Sequence, residues 1–412
     1  MPITSCLIVV LSFCLVNIDE HRCRSKIQLQ LKASECFTIL FTPMIETLLF
    51  GILCFLAIVY VGVALFAFYG LTKLTPPLTD TVHSFSIIVA ARNEERTIAP
   101  LLHSLIALDY PKEHYEIIIV NDRSTDATAD IVTDISAHAE NITLISLTEN
   151  NTDLPNKKHA LSVGIRHARY PILAFTDADC IVPPTWLKRL SEQFSDDVGL
   201  VAGYSPYLFN EPKHWFNSFL RYEELKGTIF AAAAVRLNSP YMCTGRNLAY
   251  RKIVFEQVGG FEKIKHSISG DDDLFLQLVH KTTHWKIRYM TSPSSYVHTQ
   301  PPIHLRSFVN QRIRHISASK YYPITTKVLF GCAHLLLLGS LLLLLSLPLY
   351  ALILLLVRMN VDALLIAKGK ELFNEEFSVG EFFRNELLLI FYTLIIGPFG
   401  LVKKFEWKGA VS

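Results

Sequence analysis

The chain has 412 residues, of which 50% are hydrophobic and 18% charged, with a formal net charge of +2. A mean hydropathy of +0.31 is too high for an ordinary soluble protein and predicts one sizeable soluble domain joined to membrane segments. The near-neutral balance gives no electrostatic case for nucleic-acid binding, and the eight cysteines show neither CxxC pairing nor zinc spacing, which argues against a disulfide framework and fits a reducing compartment.

The chain opens with MPITSCLIVVLSFCLV, which is apolar but short for a span, followed by polar NIDEHRCRSKIQLQLKASE. The basic start and small-residue cleavage site of a secretion signal are missing. Residues 1–43 are therefore expected to be an extension ahead of a natural start at Met44. The uncharged run Leu48–Leu71, about 24 residues, is long enough to cross a bilayer. It makes 44–71 a predicted anchor.

From 72 to 327 the pattern changes to alternating strands and helices. Strands are predicted at 84–93, 115–124, 141–147 and 170–179. Helices are predicted after Asn93 and Ser124, read as N-caps, and over 156–168. This alternation predicts a mostly parallel α/β sheet with helices on both faces. In such sheets ligands bind at the carboxyl ends of the strands. The polar clusters AARNEE, VNDRSTD and FTDADC all fall at those ends and are expected to converge on one cleft. The sequon at Asn141 carries no functional weight if the domain is cytoplasmic.

The chemistry lies in a few charged groups. Lys157 and Lys158 open a helix, and lysines suit phosphate. Asp177 and Asp179, read as i and i+2 of an extended segment, share a face about 7 Å apart. Two such carboxylates repel unless a cation neutralises them, so they read either as a Mg²⁺ or Mn²⁺ diphosphate site or as solvated loop residues. Asp271, Asp272 and Asp273 read either as charge at a helix N-terminus or as the source of a general base. Gln311, Arg312 and Arg314 read either as phosphate ligands or as a basic juxtamembrane patch.

Two further apolar runs follow. Val328–Val357 suits one tilted helix or two helices broken near Pro348. Leu387–Val402 is short, with Lys403, Lys404 and Lys408 behind it, and basic flanks favour the cytoplasmic side. The acidic stretch Glu371–Glu381 is expected outside. The C-terminal membrane region, 328–412, thus holds two or three helices, and a cell-membrane, multi-pass arrangement with a cytoplasmic central domain is predicted.

The motifs SIIVAARNEE, VNDRSTDAT, NKKHAL, FTDADC, CTGRNLAYRK, SGDDDLFLQL and QRIRH fall in the order and spacing of one family. Over about residues 84–316 the chain resembles the inverting family 2 glycosyltransferases of GT-A fold, in their membrane-anchored, polysaccharide- and glycolipid-making branch. The resemblance implies transfer of a sugar from a nucleotide-sugar, most often UDP-linked, to a lipid-linked or saccharide acceptor, with a divalent metal, Mg²⁺ or Mn²⁺. It places Ala91, Asn93 and Glu94 along the nucleotide and Asp122 on the uracil. Lys157 falls on the family's lysine, Asp177 near the ribose or metal, and Asp179 on the metal. Gln311, Arg312 and Arg314 would close over the diphosphate. The base falls on Asp271 or Asp272, depending on the register of the acidic run. His315 stands where processive synthases carry Trp, which favours single transfer. His298 reads as a structural loop residue or as a metal or phosphate ligand. Two alternatives are a processive polysaccharide synthase and a non-catalytic nucleotide-binding subunit of an envelope-assembly complex.

Overall fold

The computed structural model describes residues 20–402 apart from 75–78, 150–152, 210, 213 and 303, together with 406–407 and 410–411. The chain divides into two units, one of residues 1–61 and 332–358, the other of 62–331 and 359–412. In chain order the elements begin with α1 (Glu20–Thr72), β1 (Phe85–Ala91), α2 (Ile98–Ile106), β2 (Tyr115–Asp122), α3 (Thr128–Ser136) and β3 (Ile142–Leu147). Then come α4 (Asn156–His167), β4 (Ile172–Phe175), β5 (Cys180–Ile181), α5 (Trp186–Ser191), β6 (Val198–Gly203), α6 (Trp215–Arg236), β7 (Leu248–Arg251) and α7 (Lys252–Val258). The rest are α8 (Asp273–Thr282), β8 (Lys286–Met290), β9 (His298–Thr299), α9 (Leu305–Ala318), α10 (Ile324–Leu343), α11 (Pro348–Phe373) and α12 (Val379–Val402).

The larger unit is built on a seven-stranded sheet of order β3-β2-β1-β4-β7-β6-β8. It is mostly parallel, as expected, but β7 runs antiparallel to both β4 and β6. The central strands β1, β4 and β6 are largely apolar because both faces of the sheet are covered there. Along β1, Phe85, Ile87 and Val89 join a core with Leu101, Leu102 and Leu105 of α2. Ile88, on the opposite face, joins a second core with Ala160 and Val163 of α4. Gly164 lets α4 lie directly on the sheet, since a Cβ there would meet Ile88 Cγ2 at 2.6 Å. Strand order switches between β1 and β4, so the ends of these two neighbours form the crevice in which ligands of open α/β sheets bind.

The smaller unit packs Leu53, Leu56, Leu336, Leu343, Ala351 and Leu354 into a core of its own. Among the described residues three helical stretches are long and apolar enough to cross a membrane: Met44–Thr72, Ile324–Leu343 and Pro348–Phe373. The run Val328–Val357 thus breaks into two helices, with Pro348 opening the second. The expected boundary at Met44 falls inside continuous α1, and residues 1–19 lie outside the described residues.

One expectation for the C-terminal region is corrected, that for the acidic stretch. The run Leu387–Val402 is the second half of α12. Its first half is polar, and it buries Asn385 and Glu386, with Asn385 Nδ2 donating to Ser218 Oγ of α6 at 3.0 Å and Tyr222 and Lys226 donating to Glu386 at 2.5 and 2.6 Å. The acidic stretch Glu371–Glu381 does not lie away from the sheet-bearing unit but against it. Glu375 takes hydrogen bonds from Arg221 (2.6 Å) and the Tyr204 hydroxyl (3.0 Å), because a half-buried carboxylate needs such partners. Lys403, Lys404 and Lys408 lie outside the described residues.

Gly164→Ala tests the close approach of α4. It is expected to lower stability by about 1–3 kcal/mol through overpacking against Ile88, read as a fall in thermal midpoint.

Candidate active site

The loops after β1 and β2 are tied to each other. Asn93 N donates to Ser124 Oγ (3.0 Å), and Thr125 N donates to Asn93 Oδ1 (2.9 Å). Glu94 N donates to Thr128 Oγ1 (2.7 Å), and Ala127 N donates to Glu95 Oε2 (3.2 Å). Asn93 and Ser124 are therefore not helix caps. Their polar groups are spent joining the loops, and α2 and α3 start later, with Thr97 and Ala127 at the cap positions. Asn93 adopts a left-handed φ of 54°, which asparagine tolerates better than most residues. Asp122, at the end of β2, is buried and held by the Arg123 guanidinium at 2.5 and 2.8 Å.

The two lysines that open α4 have separate partners. Lys157 Nζ lies 2.9 Å from Asp177 Oδ1 and 3.0 Å from Asp271 Oδ2. Burial opposes its charge, but Asp177, Asp271 and Asp272 override this and hold the ammonium above its usual range. Lys158 is not a phosphate ligand: it is buried and donates to the carbonyls of Ile264, Ser267 and Ser269 at 3.0, 2.6 and 2.8 Å.

Asp177 and Asp179 do not continue an extended strand. β4 ends at Phe175, and the chain turns, with Cys180 N donating to Asp177 O at 3.2 Å. Both side chains still line the cleft. Burial opposes ionisation of Asp177, but Lys157 outweighs it and holds the carboxyl below its usual range. Asp179 goes the other way: burial, and then the charge of Asp177, push it up.

The three consecutive aspartates divide their work. Gly270, at φ 85°, provides the left-handed turn before them. Asp273 is buried, accepting from Leu274 N at 2.7 Å and from the Tyr322 hydroxyl. Burial and then the charge of Asp272 hold it well above its usual range. Asp272 is the N-cap of α8, with Oδ1 taking Asp273 N (2.8 Å) and Oδ2 taking Gly245 N (2.9 Å). Burial and Asp271 raise it despite Lys157. Asp271 engages Lys157 through Oδ2 and lines the cavity.

On α9, Gln311 and Arg314 reach the cleft. Arg312 turns away into a buried ion pair with Glu223 of α6, with Glu224 at 3.7 Å. His315 Nε2 lies 3.2 Å from Arg314 and Nδ1 lies 3.4 Å from Arg312. It is solvent-accessible at the cavity wall, yet desolvation there, followed by those two guanidiniums, holds the imidazole well below its usual range. A neutral imidazole has one acceptor nitrogen, so it takes a hydrogen bond from only one of them at a time. His298 pairs with Ile181 in the β5–β9 ribbon, which fits the structural reading.

These residues bound two adjoining cavities. One of ≈ 600 Å³ is lined by Ala91, Glu94, Asp122 and the start of α9. The other, of ≈ 350 Å³, is lined by the acidic run, Glu223, Glu224 and Arg246. They share a wall of Lys157, Asp177, Asp179, Gln311 and Arg314. Asn93 is not in either lining. Arg246 was not singled out from the sequence, although it lies in the quoted CTGRN segment. It is paired with Glu224 at 2.8 Å, and its charge bears on Asp177 and Asp179. An arginine between Gly245 and Asn247 in that segment was the available signal.

The donor set at this corner suits a hard divalent cation. Among the described residues Asp179 has no ion-pair partner within 4 Å, while Asp177 has Lys157. No group of three protein ligands occurs among the described residues. Mg²⁺ and Mn²⁺ need no such group, since one or two carboxylates plus substrate phosphates complete their shell.

A mostly parallel sheet carrying an Asp-x-Asp turn at its switch point, beside an acidic helix start, is a GT-A architecture. Residues 86–259 match the model for Glycosyl transferase family 2. It is 28% identical over 196 residues to glycosyltransferase AglE of Haloferax volcanii, covering 47% of this chain and 60% of that protein. It is 34% identical over 137 residues to a poly-beta-1,6-N-acetyl-D-glucosamine synthase of Staphylococcus aureus, covering 33% of this chain and 32% of that one. The matched stretch is thus under two thirds of either relative. The fold is similar to that of the mannosyltransferase PcManGT from Pyrobaculum calidifontis, solved with GDP-Man and Mn²⁺, at 21% identity and TM-score 0.53 over 80% of this chain and 100% of that one.

The opposite shifts of Asp177 and Asp179 have opposite consequences for stability. The contribution of Asp177 is present above the unfolded value of roughly 3.9 and is lost as pH falls towards its lower folded value. Asp179 costs stability as pH rises from that value through its raised one. At pH 7.5, Asp179→Asn is therefore expected to raise the thermal midpoint by a few degrees, and Asp177→Asn to lower it, measured by thermal unfolding without divalent metal.

Proposed function

We propose that the chain is a membrane-anchored inverting glycosyltransferase that moves a sugar from a nucleotide-sugar, UDP-linked, to a lipid-linked or saccharide acceptor. The observation that carries this is the shared wall of the two cavities, where phosphate- and cation-binding groups face one side and a carboxylate on Asp271 faces the other. On this reading the larger cavity takes the donor, with Ala91, Glu94 and Asp122 along the nucleotide and Gln311 and Arg314 at the diphosphate. Asn93 acts indirectly, by holding the loop that bears Glu94. Arg312 acts through its pair with Glu223, as part of the acceptor side.

In the transfer, the acceptor oxygen attacks the anomeric carbon from the face opposite the diphosphate. Its proton passes to Asp271, and the bond from the sugar to the diphosphate breaks. Asp271 is the better base because both oxygens of Asp272 are engaged by backbone N–H groups. Lys157 holds Asp271 at the wall, and Arg314 offsets the charge that develops on the leaving diphosphate. A divalent cation held by Asp179, with Asp177 beside it, would supply further stabilisation of that charge. The acceptor-side cavity also includes Phe330 of α10, one of the three long apolar helices, which favours an acceptor with a lipid portion. The anchor over 44–71, a domain over 72–327 facing the cytoplasm and membrane helices after 328 complete the proposed arrangement.

Purified protein is expected to release UDP from a UDP-sugar in Mn²⁺ or Mg²⁺ and to stop in EDTA, and Asp179→Ala is expected to abolish the metal response. Undiminished release in EDTA would sink the metal assignment. Asp271→Asn is expected to lower kcat by about 10²–10⁴-fold with KM little changed. Asp272→Asn keeps a good N-cap residue and is expected to keep kcat within about tenfold. The reverse ranking moves the base to Asp272.

A further inference from the structure

A third cavity, of ≈ 750 Å³, lies at the far end of α6 and α8 from the candidate active site. α6 runs from Glu224, on the acceptor side, to Arg236 in this groove, about 18 Å further along its axis. α8 starts at the acidic run and carries His280 of the groove in its last turn. The charged lining is of one sign: Arg236, Lys286 and Arg288, joined by His280 and His284. No aspartate or glutamate is among the described residues that line it. Arg288 donates to Gln193 O (2.6 Å) and Ser195 Oγ (2.9 Å), and Lys286 pairs with Asp197 outside the lining (2.5 Å). The Arg288 and Lys286 side chains of this wall are thus held by partners.

The position of the groove points to the source of its anion. Leu74, two residues beyond α1, is part of the lining. Arg236 Nε donates to Lys73 O at 2.9 Å, and a Cβ on Gly70 would lie 3.0 Å from Ala233 O, so the end of α1 is packed against the end of α6. The groove therefore opens where an apolar helix of membrane-crossing length ends, at the level of lipid phosphates. We propose that it binds the phosphate of an anionic phospholipid headgroup, at a site separate from the donor cleft. The inference rests on reading α1 as a membrane span.

The test compares retention of phosphatidylglycerol and phosphatidylcholine by the full-length protein in detergent, by native mass spectrometry. Wild type is expected to prefer phosphatidylglycerol. The triple variant Arg236→Gln, His280→Gln, His284→Gln is expected to retain about tenfold less of it. Its phosphatidylcholine retention, and its UDP release in neutral vesicles, are expected to match wild type. Equal phosphatidylglycerol retention by the variant overturns the proposal. So does displacement of the lipid by millimolar inorganic phosphate, which would make the ligand a free anion. If the triple variant does not fold, Arg236→Gln alone, at an exposed position, makes the same comparison at matched thermal midpoint. Wild-type protein that stays in solution without detergent and retains neither lipid overturns the span itself. UDP release tests the glycosyltransferase reading independently of both.

Discussion

The active-site corner depends on one ammonium group. Lys157 bridges Asp177, just beyond β4, and Asp271, in the loop before α8. Without it, carboxylates from two distant parts of the chain would face each other in a poorly hydrated cleft and repel. Its neighbour Lys158 holds the same loop by three backbone carbonyls. Consecutive lysines at the start of one helix thus position the acidic loop by charge and by hydrogen bonding. The helix can present them there because Gly164 lets it sit directly on β1 and β2.

The same pairing leaves the corner unbalanced. Asp177 has its cation, whereas burial and Asp177 both work against ionisation of Asp179. The fold carries this cost at the wall shared by the two cavities. Preorganised charge that is unfavourable in the empty protein and favourable with ligand is how binding energy is directed to a reacting centre. The acidic run shows the opposite economy. Asp273 and Asp272 are consumed by Tyr322, Gly245 and the start of α8, so of three adjacent carboxylates it is Asp271 that stays with Lys157.

Much of this was legible because it is local. The strands over 84–93, 115–124 and 141–147 and the helix over 156–168 appear within a few residues of their expected bounds, since runs such as SIIVAA and EIIIV have no solvated alternative. Convergence of AARNEE, VNDRSTD and FTDADC followed from a parallel sheet placing strand ends on one side. The failures are equally specific. Asn93 and Ser124 have the chemistry of N-caps, and what diverts them is each other, across a gap of 31 residues. Arg312 and Arg314 are indistinguishable as letters, yet Glu223 captures one of them. The antiparallel entry of β7 depends on strands dozens of residues back in sequence, and the docking of α12 on α6 on contacts 160–167 residues apart.

The sequence by itself determined the class of fold: an α/β domain with an Asp-x-Asp motif between apolar segments, in the motif order of family 2 glycosyltransferases. Those features rest on hydrophobic periodicity and on residue chemistry within a few positions, and neither needs a folded partner. Only the tertiary structure decided which lysine lines the cleft and which is spent on backbone carbonyls. It also decided which of three aspartates pairs with Lys157 and which arginine reaches the cleft. These are questions of who pairs with whom, and a charge in a cleft takes its role from the groups that reach it through space.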